Sequence, residues 1–102
     1  GLQPSTTLSI EIEGKAFEEN AQGDGQFDAF MNALSKVYNR LEKKLPKLVD
    51  YTVRIPPGSS SDSLCETMIT WKTTKNDFVT TGLDSDQTVS AIKATEKMLN
   101  LI

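Results

Sequence analysis

The 102-residue sequence contains no histidine and only one cysteine, Cys65. The missing histidine excludes Ser-His-Asp and Cys-His catalytic arrangements, and together with the lone cysteine it excludes a cysteine–histidine zinc cluster. One cysteine cannot build an internal disulfide framework, and it suits a reducing, cytoplasmic location. An enzyme made from this chain would have to use carboxylates, lysine or tyrosine, so the composition favours a binding function.

Basic charge and long apolar runs are also scarce. The formal net charge is −3, whereas a nucleic-acid-binding surface requires an excess of basic residues. No run approaches the ~18 consecutive apolar residues of a membrane span, and the first residues lack the pattern of a signal peptide. We therefore expect neither nucleic acid nor a membrane as a partner.

Hydropathy periodicity predicts five strands and two helices. Period-2 alternation indicates strands, and apolar residues at helical spacing indicate helices. A turn at Gly14-Lys15 would join the first two strands, a polar loop would span 20–25, and Asp84 or Ser85 would cap the last helix. The predicted elements are strands over 8–12, 16–18, 49–55, 64–72 and 78–81, a helix over 25–44, and a last helix whose inner stripe runs from Val89 to Ile102.

This order of elements predicts an α+β fold. It is typical of a repeated strands-then-helix unit (βββα-like) whose first copy lacks a strand, with an antiparallel sheet that carries two helices on one face. The other sheet face needs a cover, and a second copy of the domain is the simplest one, so we expect dimerisation. Residues 1–5 are expected to be a linker or cloning remnant, and residues 6–102 the domain itself.

A glycine-bearing loop precedes each predicted helix. The segment from Gly23 to Asp28 superficially resembles a dinucleotide-binding fingerprint, but it lacks the third glycine and follows no buried parallel strand. Two interpretations remain: the glycines adopt positive φ in a tight loop, or they expose N–H groups at the helix start to a small anion such as a carboxylate. For the segment from Gly82 to Asp86, ordinary helix capping is favoured.

Four segments occur in a recognisable order, from about Ser5 to the C-terminus. They are a GDGQFDA helix opening from Gly23 to Ala29, an LVDY strand from Leu48 to Tyr51, a turn with Gly58 followed by Asp62-Ser63, and a closing GLDSD segment from Gly82 that continues through Ala91 and Ala94 to Asn100. In this order and spacing they resemble the C-terminal regulatory domain of 2-isopropylmalate synthases and the related citramalate synthases.

The resemblance implies a non-catalytic allosteric domain. In these acyltransferases a catalytic TIM barrel with a divalent metal condenses acetyl-CoA with a 2-oxo acid. The small C-terminal domain dimerises and binds a branched-chain amino acid at the dimer interface as a feedback inhibitor. For this chain the resemblance implies a homodimer linked to a parent barrel, leucine as the favoured effector with isoleucine second, and no cofactor of its own.

The family's effector pocket corresponds to ten positions of this sequence. The chemistry of these residues agrees with the resemblance: we expect N–H groups of the glycine loop and helix start to bind the effector carboxylate, Asp28 to pair with its ammonium group, and Phe27, Leu48 and Ile55 to offer an apolar wall. Leucine and isoleucine differ only in the position of one methyl group, which a pocket distinguishes by roughly 1–3 kcal/mol, so both stay open. The ten positions are Gly23, Gly25, Phe27, Asp28, Leu48, Tyr51, Ile55, Ser63, Cys65 and Leu83.

Two other functions are considered beside the regulatory one. The first alternative is a free-standing protein-interaction module that uses the same exposed sheet face and binds no small-molecule effector. The second is a small carboxylate enzyme, which the spacing disfavours because the adjacent Glu18 and Glu19 would point to opposite faces of a strand.

Overall fold

The computed structural model describes residues 3–56 and 64–102. The chain divides into two compact units, residues 1–45 and residues 46–102. Its strands form two antiparallel sheets, β1–β2 and β3–β4–β5, and a helix follows the strands in each unit, which confirms the α+β class and the strands-then-helix order. In place of the predicted single sheet with two helices on one face, each sheet carries one helix, α1 on the first and α2 on the second. The elements are β1 (Ser5–Ile12), β2 (Lys15–Gln22), α1 (Gln26–Arg40), β3 (Lys47–Arg54), β4 (Cys65–Lys72), β5 (Asp77–Asp84) and α2 (Gln87–Leu101).

The β1–β2 hairpin closes through a two-residue turn at Glu13-Gly14, one residue earlier than predicted. Glu13 and Gly14 have φ values of 52° and 80°, and two successive positive φ angles are typical of a type I′ turn, whose twist matches that of the paired strands. Ile12 therefore pairs with Lys15. The turn fixes the register, so that one face of the hairpin is covered by α1.

Strand β2 is longer than the sequence pattern predicted. The predicted polar loop from Asn20 is wrong, because β2 continues to Gln22. Glu19 and Ala21 alternate toward the covered side, whereas Asn20 and Gln22 are exposed. The segment is polar throughout, so its period-2 pattern does not show as an alternation of apolar and polar residues. One of its inward residues is Glu19, whose carboxylate pairs with Arg40 at 2.9 Å.

Helix α1 buries the predicted apolar stripe against the hairpin but ends at Arg40 and not near 44. Glu42 has φ 55°, and its N–H donates to Asn39 C=O at 3.1 Å while Lys43 N–H donates to Tyr38 C=O at 3.0 Å. These two bonds form a Schellman motif, in which a left-handed residue ends the helix. The buried side chains of α1 are Ala29, Phe30, Ala33, Leu34, Val37 and Tyr38.

In the second unit, a chain of buried hydrogen bonds joins the sheet to α2. The fully buried Trp71 donates from Nε1 to Thr80 Oγ1 at 2.8 Å, and Thr80 Oγ1 donates to Ala94 C=O at 2.7 Å. A second pair, Thr67 Oγ1 and Ser90 Oγ, lies 2.6 Å apart. Because each buried polar group finds a partner, hydroxyl side chains are tolerated in this core. The predicted shared face of Cys65, Thr67, Ile69 and Trp71 on β4 is confirmed.

Helix α2 approaches the sheet closely because Gly82 has no side chain. A Cβ at Gly82 would lie 1.9 Å from Ser90 C=O and 2.6 Å from Ala94 N. Small residues therefore face the sheet, and the predicted inner stripe is wrong at its ends, since Val89 and Ile102 are exposed. The buried residues of α2 are Ser90, Ala91, Ala94, Thr95 and Met98.

The N-cap of α2 is Asp86, whereas Asp84 or Ser85 was predicted. Its carboxylate accepts a hydrogen bond from Val89 N–H at 3.0 Å. Asp84 instead accepts from Asp86 N–H and pairs with Lys93 at 2.8 Å. Of the helices in the described ranges, neither is long and apolar enough to cross a membrane.

Candidate functional site

In the first unit, the candidate site is the junction between β2 and α1, where Gly23 lets the helix start close to the strand. A Cβ at this buried glycine would lie 2.5 Å from Ala29 N and 2.7 Å from the Asp28 carbonyl carbon. The Gly23 N–H donates to Pro4 C=O at 3.1 Å. The geometry thus gives Gly23 a packing role, and its N–H is already engaged by the protein itself.

Gly25 has a different role, as the N-cap of α1. It is extended, with φ −137° and ψ 176°, and no side chain caps the helix. Neither Gly23 nor Gly25 has a positive φ, so that interpretation of the loop is wrong. A Cβ at Gly25 would meet nothing within 4 Å. The start of α1 therefore presents N–H donors at the positive end of the helix dipole without a side-chain acceptor.

Phe27 and Asp28 flank this uncapped start. The Phe27 ring is half-buried and stacks on Phe30, with centroids 6.0 Å apart and an interplanar angle of 22°. Asp28 is exposed in the first turn of α1. The junction thus places backbone donors, one carboxylate and one aromatic surface within a single helical turn, a set that matches the charged groups and the apolar portion of a free amino acid.

A separate group of predicted positions lies in the second unit on β3, where a β-bulge sets the side-chain directions. The register shifts between Leu48 and Asp50, which leaves Val49 46% exposed. Leu48 and Tyr51, three residues apart, would face opposite sides of a regular strand. The extra residue turns them to the same side, opposite Trp71 and Ile69 of β4. The predicted alternation that joined Val49 to Tyr51 is therefore wrong.

The remaining predicted positions of the second unit do not lie on one face of its sheet. Cys65, a free and half-buried thiol, lies on the α2-covered face of the sheet, the face to which Leu48 and Tyr51 also turn. Leu83 lies on the opposite face and is 44% exposed, while Ile55 follows the end of β3 and is 65% exposed. Ser63 lies outside the described residues, as do Gly58 and Asp62 of the predicted turn.

The start of α2 can be compared directly with the start of α1, because both units have the same order of hairpin, glycine and helix. Each unit contains a hairpin followed by a 15-residue helix, and a glycine near the end of the second strand meets the helix backbone. At α1 the N-cap is Gly25, whereas at α2 it is Asp86, whose carboxylate is bonded to Val89 N–H. Asp86 was missed in the sequence, although an aspartate three residues before Val89 fits the spacing of an N-cap.

The titratable groups of the described ranges do not form a metal centre. Residues 3–56 and 64–102 contain no cluster of three or more groups that could hold a metal ion. Hydrogen bonds from Lys93 and from the Asp86 N–H lower the pKa of Asp84, and a hydrogen bond from Lys43 lowers the pKa of Glu13. Both carboxylates are thereby held ionised as partners of surface lysines.

Comparison with known protein families gives a match over the full length of the chain. The family model for the LeuA allosteric (dimerisation) domain matches residues 1–102. The matched range includes the uncapped start of α1, the bulged strand β3 and the self-capped start of α2.

Proposed function

The chain belongs to the LeuA allosteric (dimerisation) domain family, and from this premise we propose that it is the effector-binding regulatory domain of a 2-isopropylmalate or citramalate synthase. It binds a branched-chain amino acid, leucine in the first place and isoleucine in the second, between two copies of itself. Binding inhibits the condensation of acetyl-CoA with a 2-oxo acid in the parent's barrel. The domain has no catalytic role, and the cytoplasm is its expected location.

The observation that carries the proposal is the uncapped start of α1. Gly25 offers no acceptor to the first-turn N–H groups, whereas at α2 the Asp86 carboxylate fills the equivalent place. A free amino acid brings a carboxylate of the same chemistry and charge. Hydrogen bonds from backbone N–H groups to an ionised carboxylate are about twice as strong as neutral ones. The effector's carboxylate therefore accepts hydrogen bonds from the first-turn N–H groups of α1, as the Asp86 carboxylate accepts one at the start of α2.

The neighbours of this start suit the rest of an amino acid. Asp28 is exposed in the same helical turn and offers a counter-charge to an ammonium group. Phe27 is half-buried and rests on Phe30, so its position is fixed and its exposed part is an apolar surface. A zwitterion with a branched aliphatic side chain satisfies all three features, which a simple inorganic anion does not.

Regulation requires a free-energy coupling between the effector site and the parent's catalytic barrel. Effector binding is coupled to dimer formation in the same way. If the pocket is completed by two copies, the effector binds the dimer in preference to the monomer and tightens it by mass action. We expect the dimer dissociation constant to fall when leucine is added at saturating concentration.

The proposal is tested by isothermal titration calorimetry of the chain with leucine, isoleucine and valine. Binding of at least one of them supports it, and the order of affinities identifies the effector. Two matched ligands assign the charged contacts: leucinamide lacks the carboxylate, and 4-methylpentanoate lacks the ammonium group. We expect both to bind more weakly than leucine. Flat titrations with all three amino acids, on a folded dimer, would refute effector binding and favour the protein-interaction module.

A further inference from the structure

The side of α1 that contacts β2 carries a row of polar residues. Asp28, Asn32, Lys36 and Arg40 follow one another at intervals of four, and this spacing places them along one face of the helix. Three of them are bonded to β2, whereas Asp28 has no hydrogen-bond partner among the described residues. The three bonds are Asn32 Nδ2 to Gln22 C=O at 2.8 Å, Lys36 Nζ to Asn20 C=O at 2.6 Å and Arg40 to the Glu19 carboxylate at 2.9 Å.

The peptide group that joins Gln22 to Gly23 brings the Asn32 amide close to Asp28. Its carbonyl oxygen accepts from Asn32 Nδ2 at 2.8 Å, and its N–H donates to Pro4 C=O at 3.1 Å. A Cβ on Gly23 would lie 2.7 Å from Asp28 Cβ, so the side chain of Asp28 starts against the same peptide group. Side chains four residues apart on a helix are also neighbours, with Cβ atoms about 5–6 Å apart. The strand and the helix therefore both place the Asn32 amide next to Asp28.

The hydrogen bond to Gln22 fixes the orientation of the Asn32 amide. A carbonyl group can only accept, so Asn32 presents its NH₂ group to Gln22 and keeps Oδ1 on the other side of the amide. Within residues 3–56 and 64–102, no donor is bonded to this oxygen. Asn32 is exposed, so a ligand can reach Oδ1 from solvent. An oriented acceptor thus lies one helical turn from the exposed carboxylate of Asp28.

Two acceptors suit an ammonium group better than one. An ammonium group carries three N–H donors, and an ion pair with one exposed carboxylate contributes little, because water competes for both charges. A second acceptor that is already oriented adds a hydrogen bond without the entropic cost of ordering its side chain. The same two groups disfavour a 2-oxo acid, because its keto oxygen is only an acceptor and would leave both of them without a donor.

We propose that Asn32 is a further effector-binding residue, whose Oδ1 accepts a hydrogen bond from the effector's ammonium group beside Asp28. The inference rests on the proposed function and adds how the site distinguishes an amino acid from the 2-oxo acid with the same carbon skeleton. The distinction matters for regulation, because the proposed substrate of the parent's barrel is itself a 2-oxo acid. Asn32 thereby has two roles: Nδ2 holds α1 to β2, and Oδ1 recognises the ligand.

Isothermal titration calorimetry of three variants with leucine, or with isoleucine should it bind more tightly, separates the two roles of Asn32. Asn32→Ala removes both the acceptor and the bond to Gln22, and we expect the affinity to fall ~10-fold or more. Asn32→Asp keeps an acceptor but cannot donate to Gln22, so it should bind the amino acid more tightly than Asn32→Ala by a similar factor. The matched control is Lys36→Met, which removes the bond to Asn20 one turn farther along α1 and should leave the affinity unchanged.

The outcomes distinguish a ligand-binding role from a structural one. Unchanged affinity in Asn32→Ala overturns the proposal, and so does an equal loss in Asn32→Asp or in Lys36→Met, because either would assign the effect to the attachment of α1 to β2. Circular dichroism checks that each variant is folded, and Asn32→Met replaces Asn32→Ala should the latter not fold.

A second titration tests the selectivity of the unaltered chain. We expect 4-methyl-2-oxopentanoate, the 2-oxo acid with the carbon skeleton of leucine, not to bind at concentrations that saturate the chain with leucine. Equal affinity for the two compounds overturns the proposal. A chain that binds none of leucine, isoleucine and valine refutes the proposed function itself, which is a separate result.

Discussion

A single substitution, Gly25→Asp, separates the role of the helix start in ligand binding from its role in stability. Gly25 is extended, and a side chain there would meet no atom within 4 Å. An aspartate can therefore adopt the native backbone and reach the N–H of Asp28, as Asp86 reaches the N–H of Val89 at 3.0 Å. The variant would install at α1 the arrangement that α2 already has.

The two expected effects have opposite signs. Replacing an N-cap glycine by aspartate gains a few tenths of a kcal/mol, and reducing the freedom of the unfolded chain adds roughly 0.4–1 kcal/mol, which gives about 1 kcal/mol of added stability. Effector binding loses a charge-assisted hydrogen bond of about 1.5–3 kcal/mol. The affinity for leucine should therefore fall by roughly 10- to 150-fold.

Denaturant unfolding and isothermal titration calorimetry measure the two effects on the same protein. The matched control is Asp86→Ala, which removes the cap of α2 and should lower the free energy of unfolding by about 0.5–2 kcal/mol with no change in leucine affinity. If Gly25→Asp is stabilised yet binds leucine as tightly as the parent, the effector carboxylate does not use the start of α1, and the reasoning is refuted.

Three further predictions concern packing, backbone conformation and pH. Thr80→Val should lower the free energy of unfolding by about 1–3 kcal/mol, because it leaves the buried Trp71 N–H without its acceptor; an unchanged denaturation midpoint would contradict this. Glu42→Gly should raise stability by roughly 1 kcal/mol, because φ 55° strains a side-chain-bearing residue, and equal or lower stability in the same assay would count against it. The hydrogen bond and charge of Lys43 lower the pKa of Glu13 from its ordinary value of 4.5. The stabilisation it gives is present above the unfolded pKa of 4.5 and is lost as the pH falls through the lower folded pKa. A carboxyl NMR titration should show Glu13 titrating below 4.5 and moving back toward it in Lys43→Met; identical curves would exclude the pairing.

The sequence predicted the elements whose signal is local and repeated. The apolar stripe of α1 and the buried face of β4 recur over several residues, so one atypical residue does not obscure them. The elements were misjudged where a single residue decides the backbone. Glu42 ends α1 in a left-handed conformation that is usually associated with glycine, and the extra residue at Val49 reverses the side-chain direction in β3. Neither residue type carries a signal for what it does there.

The candidate site was predictable in part. Gly25, Phe27 and Asp28 lie within four consecutive residues at the start of α1, so their proximity follows from the sequence alone. The packing role of Gly23 was not predicted: its N–H donates to Pro4 C=O, and its missing side chain accommodates α1. That role depends on how closely a helix approaches a strand, a tertiary distance that no local pattern contains.

The placement of Trp71 provides an optical probe of half of the chain. It is the single tryptophan, and it lies fully buried in the second unit, bonded to Thr80 beneath α2. Its fluorescence emission should shift to longer wavelength when α2 detaches from the sheet and the indole becomes hydrated. Far-ultraviolet signals sum over both helices, so a difference between the two readouts would reveal whether residues 46–102 can open while residues 1–45 stay folded.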